Sequence, residues 1–300
     1  MLWIALHFPQ LPLEVFLRGT PTPEPFAIAD GHELLACDRK AALRGIRPGM
    51  GTTTALALVP RLIVKPRDAA AETETLLGLA AWATAYTPSV ALEFPDGLLL
   101  EISGSLKLLG GLETVLERLQ AELDAMGFAP AIACAPTARA AGWLAQDRAN
   151  AHAYTASKGR IAIHAAAHAH ADAAQLQHAI AALPIAVLKR EAEEHAALQA
   201  IGTATIGDIL ALPRDGVGRR FGQGLLDDID RALGRLPEAR SFFQVPAAFL
   251  ATIELPSEVT QSEALLFAAR RLLLQLAGFL AARSGGVQRI TVRLDRKSVV

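Results

Sequence analysis

Two residues at the ends of apolar runs could carry out chemistry together. His7 closes the run Leu2 to Phe8, and Asp96 sits in the turn Pro95-Asp96-Gly97 between two further apolar runs. Two carboxylates on adjacent strands would clamp two Mg²⁺ ions between an attacking and a leaving oxygen. Here the first strand offers His7 and Pro9, and the hairpin offers Asp96 beside Gly97. Mg²⁺ prefers oxygen ligands, so one carboxylate with one imidazole is a poor hard-cation site, and no catalytic metal is predicted. A second candidate is the stretch Ala200 to Leu210, where Ile201, Gly202 and Thr203 lie between two short helical patterns, the helix-hairpin-helix arrangement. Its turn, from Ile201 through Thr205, would offer backbone N–H groups to a phosphate without reading base sequence. Arg219 and Arg220, in the glycine-bounded stretch 216–224, add cationic charge nearby.

Other signals carry less. His164 and His168 have helical i, i+4 spacing, with His170 and His178 close by, but the tract is alanine-rich with one nearby carboxylate, Asp172. Such tracts bind metal only when their geometry converges, so a connecting segment is predicted. Gln10-Leu11-Pro12-Leu13 looks like a sliding-clamp peptide but lies against the first strand, where it could not extend into a groove. Cys37 and Cys134 are too few for a disulfide framework or a zinc site and are predicted to be small buried side chains.

The elements that must position these residues alternate. Leu2–Phe8 reads as a strand, and Pro25–Ala29 with Glu33–Cys37 forms a hairpin about Asp30-Gly31. Asp38 caps a helix to Leu43, Thr52–Leu58 is a second short helix, and Leu62–Lys65 is a strand. Asp68 caps a long helix to about Ala85. Then come strands Val90–Phe94 and Leu98–Ile102, helix Leu112–Met126, strand Ala129–Cys134 and helix Thr137–Gln146. Residues 183–238 read as short helices. Beyond them, Phe249–Glu254, Glu263–Ala282 and Gln288–Leu294 read as strand, helix, strand. Alternating strands and helices of this kind make an α/β or α+β domain over roughly the first half of the chain.

Of the 300 residues, 52% are hydrophobic and 20% charged, enough to bury cores and too many apolar groups for disorder. Lys and Arg total 29 against 30 acidic residues, which excludes a histone-like polycation but not a local basic face. No apolar run is long enough to span a membrane and no basic lead marks a signal peptide, so a cytoplasmic protein without a membrane partner is predicted.

Read in order, the motifs resemble the Y-family translesion DNA polymerases. Asp38-Arg39-Lys40-Ala41-Ala42 and Gly45-Ile46-Arg47-Pro48-Gly49-Met50 look like their fingers. Leu100-Glu101-Ile102-Ser103-Gly104, followed by Leu108-Leu109-Gly110-Gly111, looks like the segment after their acidic hairpin. The hairpin at Ile201-Gly202 resembles their thumb, and 243–294 the start of their little finger. The opening Leu2-Trp3-Ile4-Ala5-Leu6-His7-Phe8-Pro9-Gln10-Leu11 is similar to the ImuB-type branch. The resemblance implies an α+β fold, with a ferredoxin-like palm at 1–20 and 67–182, small fingers at 21–66, an all-helical thumb at 183–240 and a partial little finger at 241–300. Only one of the two strand-helix-strand units of a little finger is present. Asp295 to Val300 also matches what a common sequencing adapter encodes, so a truncated gene is predicted.

By the same resemblance, the family's metal carboxylates fall on His7, Pro9 and Asp96-Gly97, leaving Asp96 as the vestige. The sugar-sensing aromatic falls on Pro12, and the triphosphate grips fall on Arg39, Ala42 and Ala138. Losing these removes the electrostatic stabilisation that phosphoryl transfer depends on, so no nucleotide site and no cofactor are expected. The branch implies a non-catalytic organiser that brings a RecA-like accessory protein, the sliding clamp and an error-prone replicative-type polymerase to damaged primer-template DNA. DNA contacts are expected from Ile201, Gly202, Thr203, Thr205, Arg219, Arg220, Arg270 and Arg271. Residues 241–300 carry seven Lys or Arg against four Asp or Glu. Two alternatives stand beside this reading. One is an active, divergent polymerase recruiting Mg²⁺ through Asp96 and Glu101, although Glu101 is expected to face away. The other is a protein scaffold without DNA affinity.

Overall fold

The computed structural model describes residues 1–18, 22–152, 173–253, 255, 262–281, 283 and 285–294. Its centre is a four-stranded antiparallel sheet of β1 (Trp3–His7), β5 (Val90–Glu93), β6 (Gly97–Glu101) and β7 (Ala131–Ala135), in the order β5-β6-β1-β7. β1 is apolar up to His7 because it is interior to the sheet and covered on both faces. Leu2, Ile4, Leu6 and Phe8 point to one core, with Leu76, Leu79, Trp82, Leu116, Leu119 and Leu123. Trp3 and Ala5 point to the other, against the small residues Ala138, Ala141 and Ala145. The first core rests on α1 (Leu11–Leu17), α4 (Ala69–Ala83) and α5 (Leu112–Met126), and the second on α6 (Ala138–His152). Each fully buried Leu or Ile in these cores contributes about 1.5–3 kcal/mol.

A second, smaller sheet projects from the first. It comprises β2 (Phe26–Asp30), β3 (Glu33–Cys37) and β4 (Ile63–Pro66), in the order β3-β2-β4. The β2–β3 hairpin turns at Gly31 and His32, one residue beyond the predicted Asp30-Gly31, because Asp30 still pairs with Glu33; Gly31 takes the positive φ the turn requires. Asp38 caps α2 (Arg39–Leu43) by accepting the Ala41 N–H at 2.8 Å, and Asp68 caps α4 through the Ala71 N–H at 3.0 Å. α3 (Thr52–Leu58) closes a small core around Ala55, Ile46 and Val59.

The short helices follow: α7 (Ala173–Ala181), a 3-10 turn (Ile185–Leu188), α8 (Ala192–Ala200), α9 (Ile206–Ala211), α10 (Arg214–Phe221) and α11 (Gln223–Ala232). Their apolar residues, among them Leu183, Leu198, Ile206, Ile209 and Ile229, join the core under α6, so this region is packed onto the first sheet.

The end of the chain differs from the sequence expectation. The helix is present as α12 (Ser262–Ala281), but residues 249–253 and 288–294 form no strand; Glu254 lies outside the described residues. A strand needs a ladder partner, and the described residues supply none there. Instead α12 packs on α4 and α5, with Leu276 and Phe279 against Ala81. Gly278 makes the close approach possible, because a Cβ there would lie 2.3 Å from Trp82 Cδ1. Three of the histidines in the alanine-rich tract, His164, His168 and His170, lie outside the described residues, as do 295–300. Among the described residues no helix is long and apolar enough to cross a membrane.

Candidate functional site

The β1–β6 pairing sets His7 opposite Gly97, which puts Asp96 immediately beyond the strand end. The backbone is locked there by the Phe8 N–H donating to the Asp96 carbonyl at 2.8 Å. His7 Nδ1 lies 3.4 Å from Asp96 Oδ1, so the structure brings these two predicted residues together. It adds a third that the sequence reading missed. Lys189 Nζ is 3.6 Å from the same oxygen. Lys189 follows the 3-10 turn Ile185–Leu188 and has φ +48°, a conformation uncommon for a residue with a side chain. Burial works to raise the Asp96 carboxyl pKa, but His7 and then Lys189 outweigh it and hold the group below its ordinary value.

The other nearby carboxylate is also paired. Glu93 stands opposite Gly97 in the β5–β6 ladder, and its Cβ and carbonyl oxygen lie 3.1 Å from where a Gly97 Cβ would be. Its carboxylate is ion-paired with Arg240. Arg240 bonds Glu238 at 2.9 Å, and Glu238 bonds Arg139 on α6 at 2.8 Å. Asp228 on α11 then takes Arg139 at 3.4 Å, Arg190 at 2.9 Å and Arg231 at 3.0 Å. This chain of ion pairs fastens the helical region to the edge of the sheet beside Asp96. Glu101 sits at the opposite end of β6, level with Trp3, where it accepts the Ser103 N–H at 3.2 Å. The predicted separation of Glu101 from Asp96 holds.

This donor set does not fit a pair of divalent cations. Mg²⁺ needs several hard oxygen ligands. Asp96 offers one carboxylate, already flanked by an imidazole and an ammonium group, while Pro9 and Gly97 bring no side-chain oxygen. Among the described residues no three His, Cys, Asp or Glu side chains converge on a point where a metal could sit.

The positions assigned to nucleotide are dispersed. Arg39 is exposed at the start of α2, with Ala42 one turn along. Ala138 is buried where α6 begins, after the end of β7 that pairs with Trp3 rather than with His7. Pro12 lies in the first turn of α1, and Leu11 and Leu13 on either side are in the core, so the Gln10–Leu13 segment is helical and packed down. Cys134 is buried, its thiol pushed up to about 12 by burial, and Cys37 is half-buried.

In the helical hairpin, Gly202 is exposed with φ +83°. The N–H groups of Ile201 and Gly202 donate to Leu198 and Gln199 carbonyls. Thr203 is 4% exposed, and its hydroxyl donates to the Leu198 carbonyl at 2.7 Å. The next two amides, of Ala204 and Thr205, donate to the Asp208 carboxylate at 2.9 and 2.8 Å. Thr205-x-x-Asp208 is a capping box, a pattern readable from sequence. Arg219 and Arg220 are exposed at the end of α10. On α12, Arg270 is exposed, whereas Arg271 is half-buried against Gly127 and stacks on Phe267 at 4.4 Å.

Residues 14–146 match the pattern of the impB/mucB/samB family. Proteins named ImuB from two strains of Caulobacter vibrioides are each 32% identical over 257 residues, covering 85% of this chain and 52% of the relative. The chain thus spans about half the length of the curated relatives it matches. Among solved structures, a Dbh ternary complex superposes with a TM-score of 0.61 at 15% identity, covering 81% of this chain and 69% of that one. A Y-family DNA polymerase chimera of Dbh and Dpo4 gives 0.61 at 15% identity, over 80% and 70%. DinB from Sulfolobus solfataricus gives 0.58 at 16% identity, over 81% and 70%.

Proposed function

The chain carries an impB/mucB/samB family domain on the fold of the Y-family polymerases, and from that premise we propose that it is a catalytically silent polymerase homologue that binds primer-template DNA and organises a translesion complex. The observation that carries this reading is the state of Asp96. The one remaining carboxylate is held by His7 and Lys189, and Glu93 is held by Arg240. Phosphoryl transfer draws almost all its catalysis from positioned metal ions and cationic grips on the triphosphate. What supports the reading is that the lone Asp96 carboxylate, already flanked by an imidazole and an ammonium group, is a poor ligand set for such ions. The sliding clamp, a RecA-like accessory protein and an error-prone replicative-type polymerase are the partners we propose, with the cytoplasm as the location.

DNA would be held through its backbone by exposed arginines, chiefly Arg219, Arg220 and Arg270. The hairpin favours a second reading, a protein scaffold without DNA affinity, because the Ala204 and Thr205 amides are already occupied by Asp208. One experiment separates them. Primer extension is measured in Mg²⁺ and in Mn²⁺, with Asp96→Ala as control, alongside binding to labelled primer-template. The expected outcome is salt-sensitive binding without extension. Extension abolished by Asp96→Ala would overturn the proposal in favour of an active polymerase, and the absence of binding at low salt would leave the scaffold.

A further inference from the structure

We propose that the cavity between α1, the α5–β7 turn and α12 is a binding site for a phosphate-type oxyanion, held by the guanidinium groups of Arg18 and Arg271. The cavity has a volume of about 250 Å³, and Gln10, Glu14, Arg18, Asp38, Gly127 and Arg271 are among its lining residues. Arg39, Ala42 and Pro12, the positions that the polymerase resemblance gives to nucleotide, do not line it. Asp38, next to Arg39, does line it, so the cavity adjoins those positions without including them.

Arg18 is the residue that demands a ligand. It is 3% exposed, yet its Nε and Nη1 have no hydrogen-bond partner among the described residues. Only Nη2 is satisfied, donating to the Thr252 carbonyl at 3.0 Å. The guanidinium plane lies 4.9 Å from the Phe128 ring centroid, which fixes its orientation. Arg271 enters from α12, and its Nε and Nη1 are likewise buried and unpartnered among the described residues. Gly127 gives it room, since a Cβ there would lie 2.6 Å from the Arg271 guanidinium carbon. Buried donors without acceptors are rare in native proteins, and charged ones rarer.

No nearby acid among the described residues hydrogen-bonds these donors, although the Glu14 and Glu74 charges act on Arg18. Glu14 Oε1 accepts the Ala129 N–H at 2.8 Å, and Oε2 is unpartnered among the described residues. Burial raises the Glu14 carboxyl to about 7, so near neutrality it is partly protonated and can itself donate to an oxyanion. Asp38 uses Oδ1 to accept the Phe26 and Ala41 N–H groups as the cap of α2. Glu74 is exposed and accepts the Thr252 hydroxyl at 3.2 Å. Arg18 and Arg271 line one small cavity, each with Nε and Nη1 donors unpartnered among the described residues, and such donors match the oxygens of a tetrahedral anion. Free phosphate and the terminal phosphate of a mononucleotide share that chemistry.

The test is calorimetric titration of the full chain with sodium phosphate at constant ionic strength, repeated with adenosine monophosphate. One saturable site is expected, weakened at least tenfold in Arg271→Gln. Arg18→Gln should do the same, but its burial makes folding uncertain, so Arg271→Gln decides. Adenosine monophosphate displacing phosphate assigns a phosphate monoester as ligand, and its failure to compete assigns free phosphate. The proposal is overturned by absence of a saturable site, by heat that chloride reproduces, or by unchanged affinity in Arg271→Gln. None of these outcomes depends on DNA binding.

Discussion

Glu14 should set the pH dependence of folding stability. Its carboxyl is buried on α1, and burial raises it from 4.5 to about 7, with the Ala129 hydrogen bond and then the Arg18 charge only partly opposing the shift. An acid whose folded pKa exceeds its unfolded value binds more protons when folded. Its site is therefore most favourable below about pH 4.5, weakens as pH rises towards 7, and is flat above that. At about 1.36 kcal/mol per pKa unit, the full span is about 3 kcal/mol. Glu14→Gln keeps an oxygen for the Ala129 N–H and cannot ionise. Urea unfolding of both proteins at about pH 5 and about pH 8 should show the difference between them moving by about 2–3 kcal/mol in favour of the variant at the higher pH. Comparing the two proteins cancels every other titrating group they share. A difference that stays flat across this window would refute the assignment of a buried carboxyl raised by its burial.

Lys189→Ala should raise the titration of Asp96 towards the ordinary carboxylate range, measured by carboxyl NMR; an unmoved titration would mean that Lys189 does not reach it. Native Asp96, held low, adds stability that is present above about pH 4 and lost as pH falls through its folded pKa, and the variant should keep less of it. Gly278→Ala places a Cβ 2.3 Å from Trp82 Cδ1, so it should loosen α12 and lower stability by about 1–3 kcal/mol in urea unfolding, and an unchanged midpoint would contradict the packing. Replacing Arg219 and Arg220 together by glutamine should lessen the slope of log affinity for primer-template against log salt by about 2; an unchanged slope would move the DNA contact elsewhere.

Much of the scaffold was legible because its signals are local. The β2–β3 hairpin, the Asp38 and Asp68 caps and the apolar run that leads to His7 in β1 each follow from a few adjacent residues, and each is found, the hairpin turn one residue further on than expected. The pairing of His7 with Asp96 was also within reach, because a strand end and a hairpin turn are brought level by antiparallel register. The Thr205–Asp208 capping box was readable too, although its consequence, that Asp208 occupies the hairpin amides, was overlooked.

What sequence could not fix depends on contacts between distant segments. Lys189 reaches Asp96 only because the 3-10 turn is packed beneath α6, and Glu93 is neutralised by an arginine 147 positions away. The terminal segment reads as strand, helix, strand, yet only the helix forms. Strand propensity is realised through a neighbour's hydrogen bonds, whereas a helix satisfies its own. Where that helix settles is a matter of shape, decided by a glycine that lets it close on Trp82. The sequence by itself therefore determined which residue types stand at the strand ends. Tertiary structure alone decided which cations face Asp96, and that two arginines from α1 and α12 share one cavity, because charges remote along the chain meet only when the cores beneath them have packed.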